Sequence, residues 1–134
     1  MERKIVGVLP SQSISRLIAD KIITADIPIE PNQVQPASLD LRLGKIAWRV
    51  RASFLTGEGK NVKDSLDKFE MHQIDIGEGA VLEKGCVYLV PIEEKLNLPA
   101  NLSAVANAKS STGRLDLLTR IITVSYTHLT LPTN

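Results

Sequence analysis

Apolar residues early in the chain recur every three to four positions: Ile14, Leu17, Ile18 and Ile22, with Ser15, Arg16, Asp20 and Lys21 between them. That period puts the first set on one face of a helix. With Ser11 as a suitable cap, one amphipathic helix is predicted from Ser11 to about Ala25. Pro28 to Pro36 holds three prolines and no glycine, which predicts an extended connector. From Ser38 the period becomes two: Leu39, Leu41 and Leu43 alternate with Ser38, Asp40 and Arg42, and Gly44 ends the run. Ile46, Trp48 and Val50 alternate in the same way, the signature of a strand with one apolar face. The polar stretch Thr56 to Lys68, with two glycines, predicts a surface excursion with at most a short helix.

Further strands are predicted at His72 to Ile76, Ala80 to Leu82, Val87 to Pro91 and Leu102 to Ala106, separated by turns at Gly77-Glu78-Gly79, Lys84-Gly85 and Pro99-Ala100-Asn101. Short strands at close spacing imply a mainly β sandwich or barrel preceded by one helix. The last eleven residues, Val124 to Asn134, have the character of a translated sequencing-library adapter. The expected domain is therefore 1–123, with 124–134 a non-native tail that carries no function.

Composition narrows the classes. A chain of 134 residues, 43% hydrophobic and 23% charged, suits one soluble domain. A net charge of +1 gives no broad field for a nucleic acid or a membrane, and neither is expected as a partner. Trp48-Arg49-Val50-Arg51 accordingly predicts a core tryptophan flanked by solvated arginines. The single cysteine, Cys86, cannot form an intrachain disulfide and is expected to be a small buried hydrophobe. Only five residues separate Met1-Glu2-Arg3-Lys4 from Pro10, too few for the apolar part of a secretion signal. A cytoplasmic location is expected.

The chemistry concentrates in Asn107-Ala108-Lys109-Ser110-Ser111-Thr112-Gly113-Arg114. Two hydroxyls between a lysine and an arginine suit a polyphosphate, since charge-assisted hydrogen bonds contribute roughly 1.5–3 kcal/mol each. The glycine spacing does not match a Walker loop. Nothing in the segment is an evident acid or base, so it binds and does not transform. A catalytic zinc site of the kind built from a His-x-Glu with a Cys-x-x-Cys or an equivalent ligand set is not expected, since His72 is followed by Gln73 and Ile74 and the chain has one cysteine. His72 is expected to be a surface strand residue. Glu93 and Glu94 would occupy opposite faces of a strand and are expected to form a solvated turn.

Two segments together, Gln35-Pro36-Ala37-Ser38-Leu39-Asp40-Leu41-Arg42-Leu43-Gly44 and Lys109-Ser110-Ser111-Thr112-Gly113-Arg114, resemble the dCTP deaminases of the dUTPase superfamily. Val81 to Tyr88 and Ser110 to Asp116 make the longer bacterial form the nearer likeness, and the resemblance spans most of 7–123. It implies a β-clip or distorted jelly-roll fold, here incomplete. It also implies hydrolytic deamination of dCTP to dUTP and ammonia without zinc, with magnesium bound through the triphosphate, and usually homotrimers with sites at the subunit interfaces. By that resemblance Lys109, Ser110, Ser111 and Arg114 grip the phosphates. Lys109 stands where shorter members commonly have arginine, a point charge in place of a bidentate fork.

Ser38, Asp40 and Arg42 match a strand motif expected to be structural, forming an ion pair that fixes a strand or a subunit contact. Family members activate water with a glutamate downstream of the phosphate turn. Here that glutamate is expected to lie beyond the end of the chain, which would make this a fragment without a catalytic base. Two other readings stay open: a dUTPase-type dUTP diphosphatase using the same turn, and a non-catalytic nucleotide-binding module.

Overall fold

The computed structural model describes residues 6–52 and 62–122. Predicted features within 1–5, 53–61 and 123–134, including the Val124 to Asn134 tail, lie outside them. The described chain is mainly β, with two small antiparallel sheets and short helices. It divides into two units, one running up to Lys45 and taking in Val90–Asn97, the other comprising Ile46–Leu89 and the chain from Leu98 on.

The first unit opens with α1 (Ser11–Ala19), whose N-cap is Pro10 in extended conformation. Ser11 is thus the first helical residue and not the cap. Its face is as predicted: Ile14 is buried, and Ser15, Arg16, Asp20 and Lys21 are exposed. Its length is not, because the helix stops six residues early. Lys21 takes a left-handed φ of 58°, and its N–H donates to the Ile18 carbonyl while that of Ile22 donates to Leu17. This pair of bonds is a Schellman closure built without the usual glycine. It frees Ile23–Ala25 to form β1, which pairs antiparallel with β5 (Glu94–Leu96).

Between them the proline-rich stretch is not wholly irregular, since Pro31–Gln33 forms one turn of 3-10 helix. The predicted strand at 38–43 is reduced to isolated bridges, Val34 with Leu39 and Leu43 with Ile92. Its polarity is also inverted: Leu41 and Leu43 are exposed, whereas Asp40 and Arg42 are half-buried. Gly44 is buried where its N–H donates to the Pro91 carbonyl at 2.7 Å, and a Cβ there would stand 3.2 Å from both that oxygen and the proline ring.

The second unit is built on β2 (Ile46–Val50), the central strand of a sheet flanked by β3 (Glu70–Asp75) and β4 (Val87–Leu89). A register shift between Arg49 and Val50 interrupts the β2–β3 ladder. The segment expected as a polar excursion contributes α2 (Val62–Phe69), which buries Leu66 against Val50. Trp48, Val62, Phe69 and Leu89 pack around that pair, so Trp48 is a core residue as expected. Arg49 is not simply solvated, because its guanidinium pairs with Glu83 at 2.7 Å. His72 is exposed on β3, opposite Arg49.

The glycine turns fall where predicted, with left-handed Gly79 and Gly85. Among the described residues the strand predicted at 80–82 does not form, and the one predicted at 102–106 is reduced to a single bridge residue, Ala104. Cys86 is only half-buried, its Sγ 3.7 Å from Glu83 Oε2. No described helix is long and apolar enough to cross a membrane.

Candidate functional site

Ser110–Arg114 forms α3, a single helical turn entered from Lys109 in extended conformation. A turn this short propagates no helix by itself, and its exit is fixed as in α1. Asp116 adopts φ 59°, its N–H donates to Gly113, and that of Leu117 donates to Thr112. Lys109, Ser110, Ser111 and Arg114 are all exposed. Helical geometry places Arg114 four residues after Ser110 and three after Ser111, so these side chains emerge over one face. A Cβ on Gly113 would meet no heavy atom within 4 Å, so the backbone there is open to close approach. The arrangement offers hydroxyl donors and cationic groups on one exposed turn. It brings no carboxylate among 109–114, so it suits binding an anion and not activating water.

The second motif lies in the other unit and is organised around a residue that the sequence pattern assigned to a solvated turn. Glu94 begins β5 with its side chain fully buried. Arg42 Nε reaches Glu94 Oε1 at 2.8 Å, and the Arg42 backbone N–H donates to Oε2 at 2.9 Å. The remaining Arg42 nitrogens donate to the carbonyls of Pro28 (3.1 Å) and Ile27 (2.8 Å). Buried Gln33 donates from Nε2 both to Glu94 Oε1 and to the Asp40 carbonyl, each at 2.9 Å, while its Oε1 accepts from the Glu30 N–H. Burial pushes the Glu94 carboxyl up, but the hydrogen bonds from the Arg42 backbone, the Arg42 side chain and Gln33 outweigh it and hold the group below its ordinary value.

Of the other motif residues, Asp40 accepts from Gln35 Nε2 at 3.3 Å, and the exposed Ser38 accepts the Gln35 N–H through its carbonyl. The signal that marks Glu94 is its phase. Ile92, Glu94 and Leu96 alternate, so a strand there carries Glu94 to the apolar side. Among the described residues no group of three or more His, Cys, Asp or Glu is arranged to hold a metal.

Residues 5–130 match the family model of the 2'-deoxycytidine 5'-triphosphate deaminase (DCD) N-terminal domain. The chain belongs to that family. A solved relative, the 2'-deoxycytidine 5'-triphosphate deaminase of Agrobacterium tumefaciens, is 55% identical and superimposes with a TM-score of 0.79 over 82% of this chain and 33% of its own. The fold is thus that of the dUTPase-like dCTP deaminases. Among curated relatives, the dUMP-forming dCTP deaminase of Corynebacterium glutamicum is 36% identical over 78% of this chain and 56% of its own length. That of Halobacterium salinarum is 31% identical over 81% of this chain and 56% of its own. The chain spans about half the length of these curated relatives and a third of the Agrobacterium protein.

Proposed function

We propose that this chain is the phosphate-binding part of a dCTP deaminase that converts dCTP and water to dUTP and ammonia. The observation that carries this reading is one exposed turn bearing Lys109, Ser110, Ser111 and Arg114 in a member of the DCD family. The hydroxyls would donate to phosphate oxygens and the two cations would offset their charge. Magnesium would be held by the triphosphate oxygens, and the carboxylate-free segment 109–114 faces phosphate and not the ion.

The turn contributes ground-state binding, which sets KM more than kcat. The water would be activated by a glutamate downstream of Thr123 in the parent protein, whose subunits would assemble as trimers. On this reading the chain alone binds nucleotide and does not turn it over, and no zinc is required. The Agrobacterium relative is named a 2'-deoxycytidine 5'-triphosphate deaminase, which supports the first reading. The dUMP-forming names of the Corynebacterium and Halobacterium relatives favour a second reading, in which the dUTP phosphoanhydride is cleaved as well.

The test begins with a sequencing read through the source locus past the Thr123 codon, followed by expression of the complete reading frame. Ammonia and dUTP from dCTP support the first reading. Ammonia with dUMP and pyrophosphate moves it to the second, and pyrophosphate from dUTP without ammonia from dCTP would replace both with a diphosphatase. In that full-length protein, Arg114→Ala should raise KM for dCTP about 10- to 100-fold, the loss of one charge-assisted contact. An unchanged KM would remove the turn from the site.

A further inference from the structure

Glu94 is a buried ionisable group for which the proposed chemistry has no use. It accepts three hydrogen bonds, from the Arg42 backbone, the Arg42 guanidinium and Gln33. Those donors lie on the stretch between Ile27, whose carbonyl holds Arg42, and Leu43, bridged to Ile92. The interior of this unit is otherwise thin, since Ile14 and Ile23 are its buried apolar side chains among the described residues and Gln33 and Glu94 are as buried as they are. The β2–β3–β4 sheet has a different support, the apolar contact of Val50 with Leu66.

We propose that the Glu94 carboxylate is the hub of a clasp, and that neutralising it releases residues 27–43 from β5 while the β2–β3–β4 sheet stays folded. The charged groups facing the hub are few. Arg42 supplies the positive charge, and Asp40 directs its carbonyl to Gln33 and its carboxylate to Gln35. Glu30 donates its N–H to Gln33 Oε1 and accepts the Gln33 N–H in return, and makes no bond to Glu94. Lys95 on the same strand pairs away from the hub, with Asp26. A neutral Glu94 loses the charge that holds Arg42. A glutamine there would also turn an amide N–H₂ towards one of three donors, so even an isosteric replacement leaves a buried donor unmatched.

The test is amide hydrogen exchange on the full 134-residue chain, comparing the Asp40, Arg42, Gly44 and Glu93 amides with those of β2 and β3, alongside fluorescence of the sole tryptophan, Trp48. In Glu94→Gln the first set should exchange on the order of tenfold faster or more, with the sheet amides and Trp48 emission unchanged. The unsubstituted chain supplies an independent arm. As pH falls through the lowered Glu94 value, the same amides, corrected for intrinsic exchange, should lose protection before the sheet does. Loss of both sets together, in either arm, would overturn the proposal, as would unchanged protection of the first set in Glu94→Gln.

Discussion

Two ion pairs in the same unit have the same length and different surroundings. Arg42 to Glu94 and Lys95 to Asp26 both measure 2.8 Å, but the Glu94 side chain is fully buried and Arg42 27% exposed, against 63% and 78% for Lys95 and Asp26. The first pair is embedded in further hydrogen bonds from Gln33 and the Arg42 backbone. The second is screened by water on all sides. The contrast extends to the units: the sheet unit is held by Val50 against Leu66, the other by a polar hub sharing the interior with Ile14 and Ile23. Apolar contact is non-directional and relaxes around small changes, whereas a hub of acceptors and donors works only in one arrangement and one protonation state.

The largest effect should come from the apolar side. Leu66→Ala empties the space beside Val50 and should cost about 2–5 kcal/mol, read by urea unfolding through Trp48. If Leu66→Ala instead left Trp48 unfolding unchanged and loosened the 27–43 stretch, the division of labour between the units would be wrong. Next in size is Glu94→Gln, at about 1–3 kcal/mol for one buried group left without a matched partner. The sign of its pH dependence follows from the direction of the shift. Because the folded state holds the carboxyl below its ordinary value, its contribution is complete above the unfolded value and is lost as pH falls through the folded one. Subtracting the Glu94→Gln stability curve from the parent's should therefore give a difference that is flat near neutrality and vanishes on the acid side. A difference that grew as pH fell would contradict the hydrogen-bond assignment.

The three strands of the β2–β3–β4 sheet were legible in the sequence, although two further strands expected in that unit do not form as strands, and the clasp was not legible, for reasons that residues make plain. Ile46, Trp48 and Val50 alternate with Ala47 and Arg49 in the sequence as a strand requires, although Ala47 on the opposite face is buried too, and Gly79 and Gly85 mark turns that use left-handed backbone. The apolar face of α1 was equally readable. Its end was not, because the stop is made by Lys21 and not by glycine or proline, and Asp116 ends α3 in the same unannounced way. Leu41 and Leu43 alternate like inward residues, but Arg42 is claimed by a carboxylate 52 positions along the chain, and the period-two pattern carries no record of that partner. For the Lys109 to Arg114 turn the residue types were visible and their joint emergence over one helical turn was not, since a pattern of Ser, Thr and Gly fits turn and helix start alike.

Lys21 gives a smaller test on the clasp side. A non-glycine residue at φ 58° is strained, so Lys21→Gly should stabilise the chain by about 0.5–1 kcal/mol if the Schellman closure persists. The gain should appear in the unfolding of α1 and β1 and leave the Trp48 transition nearly in place. A loss of stability would mean that the Lys21 side chain makes a contact worth more than the strain it carries.

The smallest effect is the most useful control on the opening contrast. Asp26→Asn removes the charge partner of Lys95 and leaves the β1–β5 register of Ile23 with Leu96, Thr24 with Lys95 and Ala25 with Glu94 to the backbone. An exposed pair contributes less than about 1 kcal/mol because water and salt screen it and two mobile side chains must be ordered to form it. Stability of Asp26→Asn should therefore match the parent's within that margin, with any difference fading between low and high salt, whereas the Glu94→Gln deficit should persist in high salt because its carboxylate is out of reach of ions. If the exposed pair proved as costly to break as the buried one, distance and not burial would set the strength of these contacts, and the Glu94 clasp would lose its special place in this unit.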